Sequence, residues 1–361
     1  MSRAETKTVI DVRRISLPAL SVMNSPVSQV PDSTSRPARE FPAIPMSWCH
    51  LCSSRELRRG PVELELCGRS FVGYRTQSGR AVVLAGRCAH LGAKLANGTV
   101  VGERLACPLH GWEFGPNGVC ERIPVAEPIP GFARQCSYPV EECGGHVFFF
   151  SHERAVYPLP FFDGQEPAAW LPAQPFDLVA EAPWYLIGAN GYDMQHFRQA
   201  HDRTLIGEPE VSNPSPFARR ITAAFEVCGN SWQDRLTRVF AGRRVTLTVT
   251  DWCGGLILVR AQLARTATFG MLCVQPLDAR RTRGRVIVWV SRGSAISGGR
   301  WVAPLNAWVR RSFVRTFLRS DLPRMAGMRY QPEHLIAADR AMADYFEWLQ
   351  NVSRPSTAEN K

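Results

Sequence analysis

Lysine is nearly absent from this chain: Lys7, Lys94 and Lys361 are the only ones, so the formal net charge of +11 rests almost wholly on arginine. The arginines are scattered (Arg219 and Arg220, Arg243 and Arg244, Arg310 and Arg311), with no recognition motif and no interleaved aromatics, which argues against nucleic-acid binding. A surface of this sign suits the docking of an acidic electron donor. Long apolar runs are missing too. No stretch approaches the roughly 18 uninterrupted apolar residues of a membrane span; even the run ending at Leu258 soon meets Arg260 and Gln262. A soluble, cytoplasmic protein with no membrane and no nucleic-acid partner is therefore expected. No Gly-x-Gly-x-x-Gly follows a strand-like run, so the sequence offers no dinucleotide-binding motif of that kind. The first 45 residues lack the apolar core and cleavage site of a secretory signal. Rich in Ser, Pro and charge, residues 1–45 read as a disordered leader, and residues 353–361 as a disordered tail.

The 361 residues, 45% hydrophobic and 21% charged, are enough for two cores. Residues 46–155 show short strand-like runs (62–66, 71–74, 81–84 and 146–150) separated by turn signals such as Asn97-Gly98 and Pro116-Asn117-Gly118, the pattern of a small antiparallel β domain. A proline-rich stretch, 157–175, reads as a linker. Residues 156–352 read as α+β, with strands expected over 220–227, 244–251, 256–264, 268–274 and 285–290 and helices over 189–201, 305–317 and 332–349.

Eleven cysteines in a chain without a signal peptide should stay reduced, as metal ligands or small core residues. Spacing separates the two roles. Cys88-Ala89-His90 is followed after sixteen residues by Cys107-Pro108-Leu109-His110. Each half offers one thiolate and one imidazole, a set suited to a [2Fe-2S] cluster with Cys88 and Cys107 on one iron and His90 and His110 on the other. A structural zinc site is the alternative, although the tight Cys-x-His pair is unusual for one. Cys49 and Cys52 have no second pair at zinc-finger distance and are read as incidental. Cys120, Cys136, Cys143, Cys228, Cys253 and Cys273 are read as small buried hydrophobes.

A second constellation lies in Asn190-Gly-Tyr-Asp193-Met-Gln-His196-Phe-Arg-Gln-Ala-His201. On one continuous helix at about 100° per residue, these four side chains share a face, but the two histidines stand about 140° apart. Joint metal binding then needs a widened turn. For a third ligand, Asp339 falls on an apolar stripe with Leu335, Met342, Phe346 and Leu349, where a lone carboxylate is costly unless it is bound to a cation. Asp344 points away. Two histidines and one carboxylate, His196, His201 and Asp339, form the facial set of non-haem Fe(II) oxygenases.

Together, Cys88-x-His90, Cys107-x-x-His110 and the Asn190 to His201 string resemble the Rieske non-haem iron oxygenases, catalytic (alpha) component. Ala93 and Leu109 stand where respiratory Rieske proteins carry disulfide cysteines. Ser47-Trp48, Glu56-Leu57, Gly79-Arg80-Ala81-Val82-Val83 and His90-Leu91-Gly92-Ala93 are similar to the aminopyrrolnitrin oxygenase-like subgroup, associated with secondary metabolism. The resemblance implies a Rieske [2Fe-2S] domain followed by a helix-grip catalytic domain with mononuclear Fe(II), a homotrimer, and electrons from a ferredoxin and/or an NAD(P)H-dependent flavin reductase. It implies O₂-dependent oxidation of a hydrophobic, aromatic or natural-product substrate by hydroxylation, N-oxygenation or oxidative cyclisation. Asn190 and Asp193 would serve catalysis, Asp193 linking the cluster of one subunit to His196 of the next; a local hydrogen bond at the helix N-terminus is the plainer role for Asp193. The alternatives to an oxygenase are a Rieske electron carrier without oxygenase chemistry and a zinc-stabilised binding module.

Overall fold

The computed structural model describes residues 41–125, 128–231, 234–235, 238–239, 242–264, 266–292 and 299–353. Most of the expected leader, 1–40, and the tail from 354 lie outside them. The last leader residues are packed, however. Phe41 stacks on Tyr185 at 4.2 Å, Ile44 is buried, and the Pro42 carbonyl accepts from Trp184 Nε1 at 2.9 Å. Ser353, the first residue of the expected tail, is also buried.

The first half of the fold is three small antiparallel sheets. Trp48–Ser53, His146–Phe150 and Val140–Cys143 form one; Val62–Leu66, Arg69–Arg75, Ala81–Ala85 and Ser137–Tyr138 form the second. The third, Thr99–Val101, Arg104–Ala106, Glu113–Phe114 and Cys120–Arg122, carries the Cys107–His110 hairpin between its middle strands.

The second half is built on one eight-stranded antiparallel sheet. Its spatial order runs Trp170–Pro172, Thr282–Ser291, Ala267–Pro276, Leu256–Leu263, Arg244–Trp252, Ala218–Val227 and Arg203–Ser215, with Phe176–Ala180 also pairing to Thr282–Ser291. Both faces are covered, which explains apolar runs such as Val286-Ile287-Val288-Trp289-Val290. Ile287, Trp289, Leu256, Leu258 and Met271 face a core shared with Trp48, Phe148 and Phe150 of the first half. Val286, Val288 and Val290 pack instead under Ala307 of the helix Gly299–Arg319, and Ile257 and Val274 under Trp184, Tyr345 and Phe346. The whole is α+β, as its patterning implies.

Several elements differ from their sequence reading. The helix expected over 189–201 is two helices, Trp184–Ala189 and Met194–His201, separated by a 3-10 turn and by Asp193 in an extended conformation. The helix expected over 332–349 begins only at Arg340; Leu335 is extended and Ala337–Asp339 is a 3-10 turn. The strand Arg203–Ser215 was not expected at all, because its sequence contains Pro209, Pro214 and Gly207. It is an edge strand whose pairing breaks around Gly207 to Pro209 and again before Ser215, so a proline costs it little. The stretch 157–175 is no free linker, since Tyr157 and Phe162 are buried and Trp170–Pro172 joins the sheet.

Candidate metal and cluster sites

The first site sits at the tips of two hairpins built alike. In one, Cys88 N donates to Ala93 O and Gly92 N to Cys88 O; in the other, Cys107 N donates to Trp112 O and Gly111 N to Cys107 O, all at 2.8–3.0 Å. Gly92 and Gly111 take φ of 72° and 69°, a left-handed turn that favours glycine four residues after each cysteine. The paired turns aim Cys88 and Cys107 inward, each 4% exposed, and His90 and His110 outward. His90 Nδ1 and His110 Nδ1 lie 3.1 Å apart, and the His90 ring stacks on Trp112 at 4.5 Å. Burial, and then the neighbouring Cys107, pushes the Cys88 thiol up to about 11. As thiolates this buried sulfur pair needs a cationic partner, and the set of two inner sulfurs and two convergent outer imidazole nitrogens fits a [2Fe-2S] cluster. Tetrahedral zinc has no such requirement for an inner and an outer pair.

The second site is assembled from elements distant in sequence. The helix Met194–His201 begins at Asp193, whose carboxylate accepts from His196 N at 3.0 Å, and ends at Asp202, left-handed at φ 50°. Its two histidine rings stand 5.0 Å apart and nearly perpendicular, without a widened turn. Both reach Asp321, just beyond the helix Gly299–Arg319: Oδ1 is 3.2 Å from His196 Nε2 and 2.9 Å from His201 Nε2. One ligand atom from each residue lies within 4.8 Å of the others, which suits a single ion.

Asp321 Oδ1 is buried, yet neither imidazole meets it with hydrogen-bond alignment. Three donor atoms converging on one point from a carboxylate and two imidazoles are the arrangement a single metal ion requires. Burial pushes the Asp321 carboxyl up, but the two imidazoles outweigh it and hold the group below the ordinary carboxylate range. Asn190 Nδ2 borders the same point, 3.5 Å from His196 Nε2 and from Asp321 Oδ2.

This corrects the expected carboxylate. Asp339 does not face a core: it is half-buried, accepts from Ile336 N at 3.0 Å and from Gln195 Nε2 at 2.8 Å, and precedes the helix Arg340–Val352. The apolar stripe that singled it out does not extend past the start of that helix. Asp344 is likewise outside the histidine pair's reach. A signal for Asp321 did exist, because it is the sole carboxylate between Asp278 and Glu333. Two further residues were not anticipated. Phe317 stacks on His201 at 3.9 Å, and buried Arg203 donates from Nη1 to His201 O at 2.8 Å while pairing with Asp234 at 2.7 Å. Among the remaining cysteines Cys120, Cys143, Cys253 and Cys273 are buried, but Cys136 and Cys228 are exposed. Cys49 and Cys52 are buried in the strand Trp48–Ser53.

Residues 47–133 match the family described as Rieske [2Fe-2S] domain. Over 163 residues the chain is 36% identical to cholesterol 7-desaturase nvd of Xenopus laevis, covering 44% of this chain and 33% of that one. Over 154 residues it is 36% identical to aminopyrrolnitrin oxygenase PrnD of Pseudomonas fluorescens, covering 40% of each. The chain thus spans between a third and two fifths of the length of these relatives. Among solved structures it shares the fold of NdmB of Pseudomonas putida CBB5, with a TM-score of 0.66 at 19% identity over 88% of this chain and 94% of that one. The class is therefore a two-part iron-sulfur protein: a Rieske domain joined to a second domain on an antiparallel sheet. Its partial relatives include oxygenases, a demethylase and a desaturase that are similar to it over less than half of its length.

Proposed function

We propose that this chain uses O₂ and externally supplied electrons to oxidise a hydrophobic organic substrate at a mononuclear iron held by His196, His201 and Asp321. The observation that carries this reading is the buried Asp321 carboxylate converging on both histidines in a chain that also has the cluster ligands. When bound, the ferrous ion supplies activation of O₂. The chain's own residues hold its geometry: Phe317 stacks against His201, and Asn190 sits at the edge of the ligand set. Phe197 packs with Phe225 and Ala223 beside Met194, Leu205 and Leu247, giving the helix of the histidines apolar surroundings suited to a hydrophobic substrate.

The relatives named a desaturase of cholesterol and an oxygenase of aminopyrrolnitrin support a bulky, aromatic or natural-product substrate oxidised by hydroxylation, N-oxygenation or cyclisation. Electrons come from a ferredoxin or a flavin reductase in the cytoplasm, consistent with exposed His90 and His110. The chain acts as a homotrimer in which Asp193 connects His196 to His110 of the partner subunit. Its domains divide as 46–155 for the cluster and 156–352 for catalysis. An electron carrier without oxygenase chemistry is disfavoured, since it has no use for a second, three-ligand metal site.

Iron analysis of two variants tests the reading. The parent should hold three irons per chain, two in the cluster and one at the histidine pair. Asp321→Ala should keep the cluster's visible absorbance, lose the third iron and lose substrate oxidation, whereas Asp339→Ala should resemble the parent. Full iron content in the Asp321 variant would overturn the ligand assignment.

A further inference from the structure

The helix Gly299–Arg319 turns four large apolar side chains to solvent: Leu305, Trp308, Val309 and Phe313 are 62, 63, 51 and 40% exposed. Single surface hydrophobes need no explanation, but a contiguous group of this size marks an interaction site. At about 100° per residue the four fall within an arc of about 140°. On the opposite side of the helix Ala307, Val314 and Leu318 pack against Val286, Val288 and Val290. The helix therefore has two apolar faces, one buried in the protein and one uncovered.

Its charge is as one-sided as its exposure. Residues 299–331 contain seven arginines, no lysine and a single carboxylate, Asp321, which is buried at the metal site. Arg310 and Arg311 are tied to Thr268 Oγ1 and the Gln174 carbonyl, while Arg319, Arg324 and Arg329 are exposed. Among the described residues, no ion pair involves an arginine of this segment.

We propose that this helix docks on an anionic phospholipid surface, with Leu305, Trp308, Val309 and Phe313 in the headgroup boundary and the arginines toward the phosphates. Charge selects this occupant. A second copy that set this same segment against itself would bring seven more arginines and no exposed carboxylate to it, whereas a homotrimer joined through other surfaces leaves the face open. An anionic bilayer supplies both an apolar layer for Leu305, Trp308, Val309 and Phe313 and negative phosphates for the exposed Arg319, Arg324 and Arg329 at and beyond the end of the helix. No helix of the described residues is long and apolar enough to cross a membrane, but a helix lying in the interface needs no such length. The sequence expectation of no membrane partner rested on spanning segments alone. The helix leads directly into Ser320 and Asp321, so docking would hold the metal site beside the phase in which a hydrophobic substrate collects; this purpose rests on the proposed function, whereas the binding itself does not.

The test is co-sedimentation of the full, cluster-loaded chain with vesicles of mixed phosphatidylglycerol and phosphatidylcholine, and with phosphatidylcholine alone. Binding should be confined to the anionic vesicles and should fall with added salt. The double variant Trp308→Ser with Phe313→Ser should bind roughly tenfold or more weakly, with the cluster absorbance retained as evidence of folding, and Val125→Ser, a change at an exposed apolar residue elsewhere, should bind like the parent. Failure of the parent to bind anionic vesicles, or equal binding by the double variant, overturns the proposal. So does a double variant whose oligomeric state changes while the parent ignores vesicles, which would assign the face to a copy-to-copy contact. Because the readout is binding rather than turnover, its failure leaves the oxygenase reading standing, and an inactive chain that binds leaves the docking proposal standing.

Discussion

Asp193 shows how one residue can serve two roles that a single alanine variant would confuse. Its carboxylate caps the helix of the two histidines by accepting from His196 N, and losing a cap of this kind costs about 1 kcal/mol. The proposed electron link needs the carboxylate's charge as well. Asn is as good a cap as Asp, so Asp193→Asn should keep both metal sites loaded while sharply slowing product formation. Normal turnover in that variant would leave Asp193 with the cap alone. The convergence of His90 on His110 and of His196 on His201 was legible in the sequence because each depends on turns and helix spacing that act over a few positions. Asp321 was not, since its partners are fixed by where a helix docks.

At the scale of elements, the helix Met194–His201 is only eight residues long, too short to be stable without tertiary support. Support comes at its C-terminal end, where the orphan carbonyls carry partial negative charge. Arg203 reaches back to the His201 carbonyl and is held by Asp234, itself accepting from Ser231 Oγ at 2.6 Å. Arg203→Met should weaken Fe(II) binding at the mononuclear site about 10- to 100-fold, the usual cost of losing an outer support of a ligand. Cluster absorbance should be unchanged, and Arg203→Lys should recover part of the affinity. A Met variant with parental iron affinity would make the ion pair a matter of folding only. The three element errors have definite causes. Helical periodicity was extended through Asp193 and through Leu335, where a cap and an extended residue interrupt it, and the edge strand Arg203–Ser215 was hidden by its prolines.

At the scale of the whole molecule, two buried titratable groups lie on opposite sides of the main sheet and pull stability in opposite directions with pH. His146 pairs with His50 at 3.1 Å across the first sheet, beside Arg285 of the large one. Burial, then Arg285, lowers His146 from 6.5 to about 4. Between those values the unfolded chain binds the proton and the native chain does not, so stability is lost as pH falls below 6.5. Asp251 is fully buried beneath Tyr345, whose hydroxyl donates to it at 2.9 Å, and burial raises it from 3.8 to about 7. There the native chain holds the proton, so stability is lost as pH rises toward 7. Each effect is on the order of 3–4 kcal/mol, and they oppose each other across the same window. Comparing melting temperatures at pH 5 and 7.5, His146→Asn should tilt the profile toward acid stability and Asp251→Asn toward alkaline stability. Unchanged profiles in both variants would show that neither group titrates differently on folding.

Sequence by itself determined the local chemistry: two hairpins that present Cys88, His90, Cys107 and His110, a short stretch that presents His196 and His201, and the alternating runs of an antiparallel sheet. These depend on turns, caps and periodicities that act over a few residues. Only the tertiary structure decided which carboxylate joins the histidines. Asp321 stands 131 positions from Asn190, against which it comes to rest, and it arrives there because the helix before it packs along Thr282–Ser291. Asp339 had the better local pattern, but burial is a property of packed elements, and the helix beyond it begins too late to carry that pattern inward.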